Sequence, residues 1–462
     1  MAMFMTCRRL VGAALMVSTW LLGGCASFSA DGGFGDVQKI TKAHTGLDAG
    51  WHKTPADSSA AQQRVAELLT KPLSVDDAVQ VALLNNRGLQ ASYAELGISE
   101  AELVQASRLP NPRLSFGRTT RGEQTEIDRG FHFDLARLLL APLVSGIEAR
   151  RFEQTRRLAA LETLSLASET RQAWFLAVAA EEALHYTQEV RKAADAGEEL
   201  AARMVQSGNW SRLDHAREQG FYADATLKAA SATQARDASR ESLIRLMGLW
   251  GDQTRFALPP RLPDLPQSPN DYPDVERQAV AQRLDLQSLR SQTESLASNL
   301  GLSKVTRMVN VLEVGAVRNS FRDAPNTERG YDISLEIPLF DWGGARVAKA
   351  EALYMQSVNQ LAQAAVEARS EVREAYLGYR NSHDIARHYR DEVLPLRKRI
   401  SQENQLRYNG MLISVFDLLA DARAQIAAAN GYIDALRDFW LAQSKLQMAL
   451  VGKPATPDRR RP

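Results

Sequence analysis

Two aspartates, Asp417 and Asp421, stand four residues apart just after the turn signal Tyr408-Asn409-Gly410, which puts both carboxylates on one helix face. Repeated around a symmetric assembly, they would form a ring of negative charge that favours cations and repels itself. Asp214, after the parallel signal Gly208-Asn209-Trp210, is a fainter counterpart. His383 and His388 are five apart and fall on different helix faces, so no shared metal is expected. His132 and Asp134 alternate on one side of a strand and read as polar lining rather than a cation site. The sequence offers neither a phosphate-cradling glycine loop nor a nucleophile elbow. No enzymatic constellation and no cofactor are therefore expected.

A different chemistry sits near the start. Arg8 and Arg9 precede the apolar run from Leu10 to Leu22, and Gly23, Gly24 and Cys25 close it. That is the layout of a secretory signal, and the run is too short to span a bilayer comfortably. Cys7 would leave with the signal, making Cys25 the single cysteine of the mature chain and an internal disulfide impossible. The formal net charge of +1 implies no polyanionic partner and no nucleic acid. Leu22-Gly23-Gly24-Cys25 resembles the lipobox of bacterial lipoproteins. The resemblance implies cleavage before Cys25, diacylglycerol on its sulfur and acylation of the new amino group. Such an anchor is stable, at roughly 0.8 kcal/mol per buried methylene. Ala26 and Ser27 follow, without the aspartate that retains such lipoproteins in the inner membrane.

The elements that must position these residues are written twice. Glu169-Thr170-Arg171-Gln172-Ala173-Trp174 pairs with Glu371-Val372-Arg373-Glu374-Ala375-Tyr376. Phe131-His132-Phe133-Asp134-Leu135 pairs with Tyr331-Asp332-Ile333-Ser334-Leu335, and Gly88-Leu89-Gln90 with Asp285-Leu286-Gln287. The period is about 200 residues, far above that of a solenoid, and marks a duplicated domain. The expected segmentation is a signal over 1–24, a lipidated segment over 25–72, a first repeat over 73–258, a proline-rich strap over 259–273, a second repeat over 274–453 and a disordered tail over 454–462.

Each copy is expected to open with one helix, from Val75 to about Leu109 and from Val275 to about Ser303. Two strands follow. Tyr331, Ile333, Leu335, Ile337 and Leu339 alternate with Asp332, Ser334 and Glu336, a strand with one apolar and one wet face. Next come long helices. Val358, Leu361, Ala365, Ala368, Val372, Ala375 and Tyr379 begin an unbroken three–four spacing that predicts a coiled-coil seam. From about Val347 to Gln405 such a helix would extend on the order of 90 Å, with Pro395 expected to kink or open it. Gly208 and Gly410 read as the turns of two helical hairpins. The fold class is mainly α with a small β part.

The duplication, the paired strands, Trp342-Gly343-Gly344 and the Tyr408-Asn409-Gly410 hairpin together resemble the TolC-like outer-membrane factor family, across Val75 to Gly452. The resemblance implies a homotrimer in which each protomer gives four strands to a twelve-stranded barrel in the outer membrane. The long helical hairpins would form an α-barrel through the periplasm. It implies passive export of drugs or metal ions, with a periplasmic adaptor and an inner-membrane pump as partners, and a gate at Asp417 and Asp421. Family aspartates there sit three apart and one residue earlier, a departure at the gate itself. The competing expectation is a periplasmic coiled-coil lipoprotein that acts as a scaffold and forms no pore.

Overall fold

A computed structural model describes residues 27–307, 311–322 and 327–453. Cys25 and the 454–462 tail lie outside the described residues. The chain is mainly helical with one small sheet. Its elements are α1 (Phe34–Thr45), α2 (Pro55–Leu68), α3 (Val75–Asn85), α4 (Arg87–Ala106), β1 (Arg113–Arg121), β2 (Gln124–Asp134), α5 (Leu135–Gln206) and α6 (Arg212–Met247). They continue with α7 (Val275–Gln282), α8 (Leu284–Val305), β3 (Leu312–Phe321), β4 (Thr327–Leu335), α9 (Gly344–His388), α10 (Leu394–Asn409) and α11 (Val415–Val451). Two compact units divide them: the described residues within Met1–Gly35, Ala94–Arg157 and Gln287–Ala364 form one, which holds the sheet. Those within Asp36–Tyr93, Leu158–Leu286 and Ala365–Pro462 form the other, which holds both helical hairpin turns.

Each helix expected to open a copy is in fact two. The first breaks at Asn86, whose backbone swings to ψ 119°, and the second at Arg283, with ψ 127°. Neither break falls on a proline or a glycine. The Asn86 amide donates to the Leu246 carbonyl at 2.9 Å, and its side-chain oxygen accepts from Leu89 N–H, so it caps α4. Asn85 donates to the carbonyls of Met247 and Gly248. These bonds join residues about 160 apart in sequence, outside the reach of local propensity.

The turns differ in one respect from expectation. Gly208 takes φ +76°, with Gly208 N–H bonded to Val205 O and Asn209 N–H to Met204 O, the pattern that satisfies the last carbonyls of a helix. In the second hairpin Gly410 stays at φ −82° and Met411 takes the left-handed position, φ +58°. Helix α10 runs one residue further, and the equivalent bonds come from Met411 N–H to Tyr408 O and Leu412 N–H to Arg407 O. Pro395 does open the rod. A π turn over Tyr389–Val393 precedes it, so the missing proline N–H is absorbed by a wider loop rather than by a break. The Tyr389 ring fills the space beside Gly431, where any added side chain would collide with it.

The hairpin unit is packed by Trp174, Phe175, Val178, Leu243, Met247, Tyr379, Phe439 and Leu446. Phe175 stacks on Trp440 at 5.3 Å and Tyr379 on Phe439 at 5.6 Å, while Trp174 Nε1 donates to Leu73 O at 2.8 Å. The proline-rich strap has no ladder, so side chains from the helices take up its backbone groups. Leu262 N–H donates to Glu182, and Asn270 N–H to the Tyr379 hydroxyl. Its carbonyls at Pro263 and Leu265 accept from Trp440 and Arg390, and the Pro266 oxygen lies 3.1 Å from His383 Nε2. Burial pushes the Glu182 carboxyl above its usual range, against the pull of the Leu262 N–H. His383 is fully buried on this packing, whereas His388 is exposed beside Glu392.

Candidate functional site

Among the described residues no helix is long and apolar enough to cross a membrane. The four strands form one antiparallel sheet in the order β1-β2-β3-β4, with β1 and β4 at its edges. Its register sorts the side chains sharply. One face carries the apolar row Leu114, Phe131, Ala316 and Tyr331, cross-strand partners in succession. Phe133, Val314 and Ile333 make the next row, and Leu312 opposes Leu335 beyond it. Leu114, Phe116 and Tyr331 are 79%, 71% and 81% exposed, so this apolar face is bare. The charged residues there are Arg118, Arg129, Arg318 and Arg329. No carboxylate of the strands lies on it. Glu126, Asp128, Glu313, Glu328 and Asp332 all point to the opposite face.

That second face is knitted by His132. Its Nδ1 lies 3.2 Å from Asp332 Oδ2 and its Nε2 3.0 Å from Ser115 Oγ, linking β1, β2 and β4 across β3. The ring can lie flat because Gly130 and Gly315 have no Cβ. One at Gly315 would collide with His132 Nδ1 and with Asp332. Arg113 pairs with Glu313 at 3.3 Å, and Asn319 donates to Glu126 at 2.9 Å. Asp134, expected as lining beside His132, accepts from Arg137 N–H at 2.8 Å and caps α5.

At the hairpin turns the two candidate gate residues have unequal environments. Asp417 sits in the first turn of α11 and forms a capping box with Ser414. Its N–H donates to Ser414 Oγ, while its carboxylate accepts from Ser414 N–H at 3.0 Å and from the hydroxyl at 2.7 Å. The Ser414 hydroxyl and N–H hold the Asp417 carboxyl below its usual range. Asp421 is 7% exposed, and its Oδ2 has no hydrogen-bond partner among the described residues. Arg423, two residues on, does not neutralise it. Its guanidinium binds Glu218 of α6 at 2.6 Å and lies 3.6 Å over the Phe221 ring. Trp210 stacks on Phe416 at 3.7 Å, joining one turn to the start of α11. At α6 Ser211 Oγ accepts from Asp214 N–H and donates to the Asp214 carboxylate at 2.6 Å, a cap without the reciprocal backbone bond seen at Asp417.

No family model matches the chain. The cobalt-zinc-cadmium resistance protein CzcC of Cupriavidus metallidurans is 24% identical over 280 residues, 58% of this chain and 64% of the relative. The match thus spans less than two thirds of that relative's length. Among solved structures, CusC, studied for folding and transmembrane channel formation, superposes with TM-score 0.67 at 18% identity, over 82% of this chain and 92% of its own. The Campylobacter jejuni CmeC outer membrane channel superposes at 0.64 and 16% identity, over 83% and 87%. The chain has the fold of the TolC-like outer-membrane factors.

In this outer-membrane-factor fold some working residues have no signal in the sequence alone. Ser211-x-x-Asp214 and Ser414-x-x-Asp417 are visible capping signatures, so part of the charge at the turns serves the helix ends. The Gly130–Gly315 cradle has no signature without the register. It carries a prediction. Gly315→Val is expected to push His132 off Asp332 and cost about 1–3 kcal/mol by overpacking. Gly330→Ala, whose Cβ meets only Val317 at 3.4 Å, is expected to be tolerated. Thermal unfolding of the two purified variants checks this, and equal melting temperatures would show that the cradle carries no strain.

Proposed function

We propose that three copies of this chain close their sheets into one twelve-stranded outer-membrane barrel, the channel of a tripartite efflux system. The observation that carries the reading is the sheet: a bare apolar face with every strand carboxylate on the other side, and two edge strands whose outer sides are unpaired among the described residues. In lipid an open edge leaves backbone groups unpaired, so a four-stranded sheet is stable there only as part of a closed barrel. The apolar face then meets lipid and the acidic face lines the lumen. The seams of α5, α9 and α11 build the periplasmic α-barrel, which meets a periplasmic adaptor and an inner-membrane pump. Cys25 carries the acyl anchor after cleavage of the 1–24 signal.

Conduction is passive, and the lumen carboxylates favour cations. The likeness to a cobalt-zinc-cadmium resistance protein makes divalent metal ions the first cargo to test, ahead of organic drugs. Asp417 and Asp421 restrict the periplasmic opening.

The purified full-length protein is expected to behave as a trimer and to give cation-selective conductance in a planar bilayer. An Asp417→Ala, Asp421→Ala double variant is expected to raise that conductance and cellular leakage of large antibiotics. Ser414→Ala, which removes the cap but keeps both charges, is the control. Unchanged leakage in the double variant sinks the gate, and a monomer that conducts nothing returns the reading to a pore-free scaffold.

A further inference from the structure

The lipid-facing side of the sheet carries an arrangement that a barrel alone does not require. Arg129, Arg318 and Arg329 are direct cross-strand partners on β2, β3 and β4, and Phe116 completes their row on β1. Like charges opposed in this way repel and weaken the sheet. All three are exposed. Among the described residues none has a carboxylate within ion-pair distance, and Arg129 donates only to the Ser320 hydroxyl, at 3.1 Å. The row therefore concentrates three guanidiniums that no carboxylate among the described residues neutralises.

Its place narrows the ligand. The neighbouring row on one side is Leu114, Phe131, Ala316 and Tyr331, apolar except for the tyrosine hydroxyl. On β1, β2 and β4 the change from apolar residue to arginine comes on the side of the strand-joining loops, and Arg118 extends the belt on β1. Tyr331, 81% exposed, stands at the boundary, where an aromatic ring with a polar end suits a membrane interface. A guanidinium offers a planar fork of donors that matches phosphate, and it is more weakly hydrated than an ammonium.

We propose that the Arg129–Arg318–Arg329 row binds the phosphate groups of membrane-lipid headgroups at the rim of the lipid-facing band. The inference rests on the barrel reading above. A second copy of the chain is a poor occupant. β2 and β3 are interior strands, and a sheet joined edge to edge keeps its carboxylates on the opposite face. Free phosphate would satisfy the charge but leave Phe131 and Tyr331 bare; a lipid covers both.

The test uses the full-length protein in detergent, titrated with a bisphosphorylated glucosamine lipid and with its dephosphorylated form, bound lipid being counted by native mass spectrometry. The phosphorylated lipid is expected to bind about tenfold more tightly or better, an advantage lost in Arg129→Gln, Arg318→Gln, Arg329→Gln and partly restored by the triple lysine variant. Inorganic phosphate at equal concentration is expected not to displace the lipid. Equal binding of the two lipids by the unaltered protein, which needs no variant to fold, overturns the proposal, as does displacement by inorganic phosphate. Conductance of the same preparation reports separately on the barrel, so a conducting protein without phosphate preference defeats this inference alone.

Discussion

Arg283→Ala is expected to destabilise the hairpin unit by about 3–5 kcal/mol, the usual result of removing one partner from a buried ion pair. Arg283 is 3% exposed and holds Asp285 through a two-pronged contact, Glu371 at 3.0 Å and the Ala449 carbonyl at 3.3 Å. Its backbone also makes the break between α7 and α8, and its guanidinium ties that break to Glu371 of α9 and the Ala449 carbonyl of α11. Without it, two partly buried carboxylates face each other with only Lys453 near Glu371. Arg283→Met with Asp285→Asn and Glu371→Gln removes the charges together and is expected to recover most of the loss. The network also sets a pH dependence. Burial raises the Glu371 carboxyl, but hydrogen bonds from Lys453 and Arg283 outweigh it and leave the group below its ordinary 4.5. A carboxyl depressed on folding contributes stability that is fully present above its unfolded value and lost as pH falls through the folded one. Acid sensitivity below about pH 4.5 should therefore shrink in Glu371→Gln. Urea melts followed by circular dichroism at neutral and acidic pH decide it, and a loss below about 1 kcal/mol for Arg283→Ala would mean that water already reaches the pair.

The features legible in the sequence are those with local period. Tyr331, Ile333 and Leu335 announced their strand by alternation, and the three–four spacing through Tyr379 and beyond announced the long helices. Pro395 announced a disturbed rod, though not that a π turn would absorb it. Features held by distant partners were invisible. Asn86 and Arg283 break helices because carbonyls and carboxylates far along the chain receive their side chains, and no propensity encodes that. The left-handed residue of the second turn fell on Met411 because the helix runs through Asn409, a shift within the ordinary uncertainty of a helix end. At the turns the emphasis on charge hid a plainer signal. Ser414 three residues before Asp417 marks a cap, and the Asp417 carboxylate is engaged there before it can do anything else. The net charge of +1 hid the most. It averages a face whose charged residues are all arginine with a face that is mostly acidic, a separation that only the cross-strand register reveals.

The same separation gives the sharpest test of which side of the sheet meets lipid. Ile333→Lys is expected to abolish stable insertion, whereas Ser334→Lys, one residue along the same strand, is expected to insert normally. Ile333 is 62% exposed between Phe133 and Val314 on one side of its row and the open edge of β4 on the other. A lysine at such a position near the middle of the apolar band costs about 2–4 kcal/mol in a membrane barrel. A threefold assembly repeats the cost in every protomer, so the sum exceeds what a marginally stable association tolerates. Ser334 points the other way, with Glu313 as its cross-strand partner. A lysine there finds a carboxylate and water, keeps the barrel, and replaces part of the acidic lining with positive charge. Its channel is therefore expected to insert with lower cation selectivity. Trimer recovered from the outer-membrane fraction measures the first effect, and reversal potential across a salt gradient measures the second. Two variants that insert equally well would place neither face in lipid; two that both fail would make the strand a packing surface instead. Only a difference between adjacent residues assigns the apolar face to the membrane.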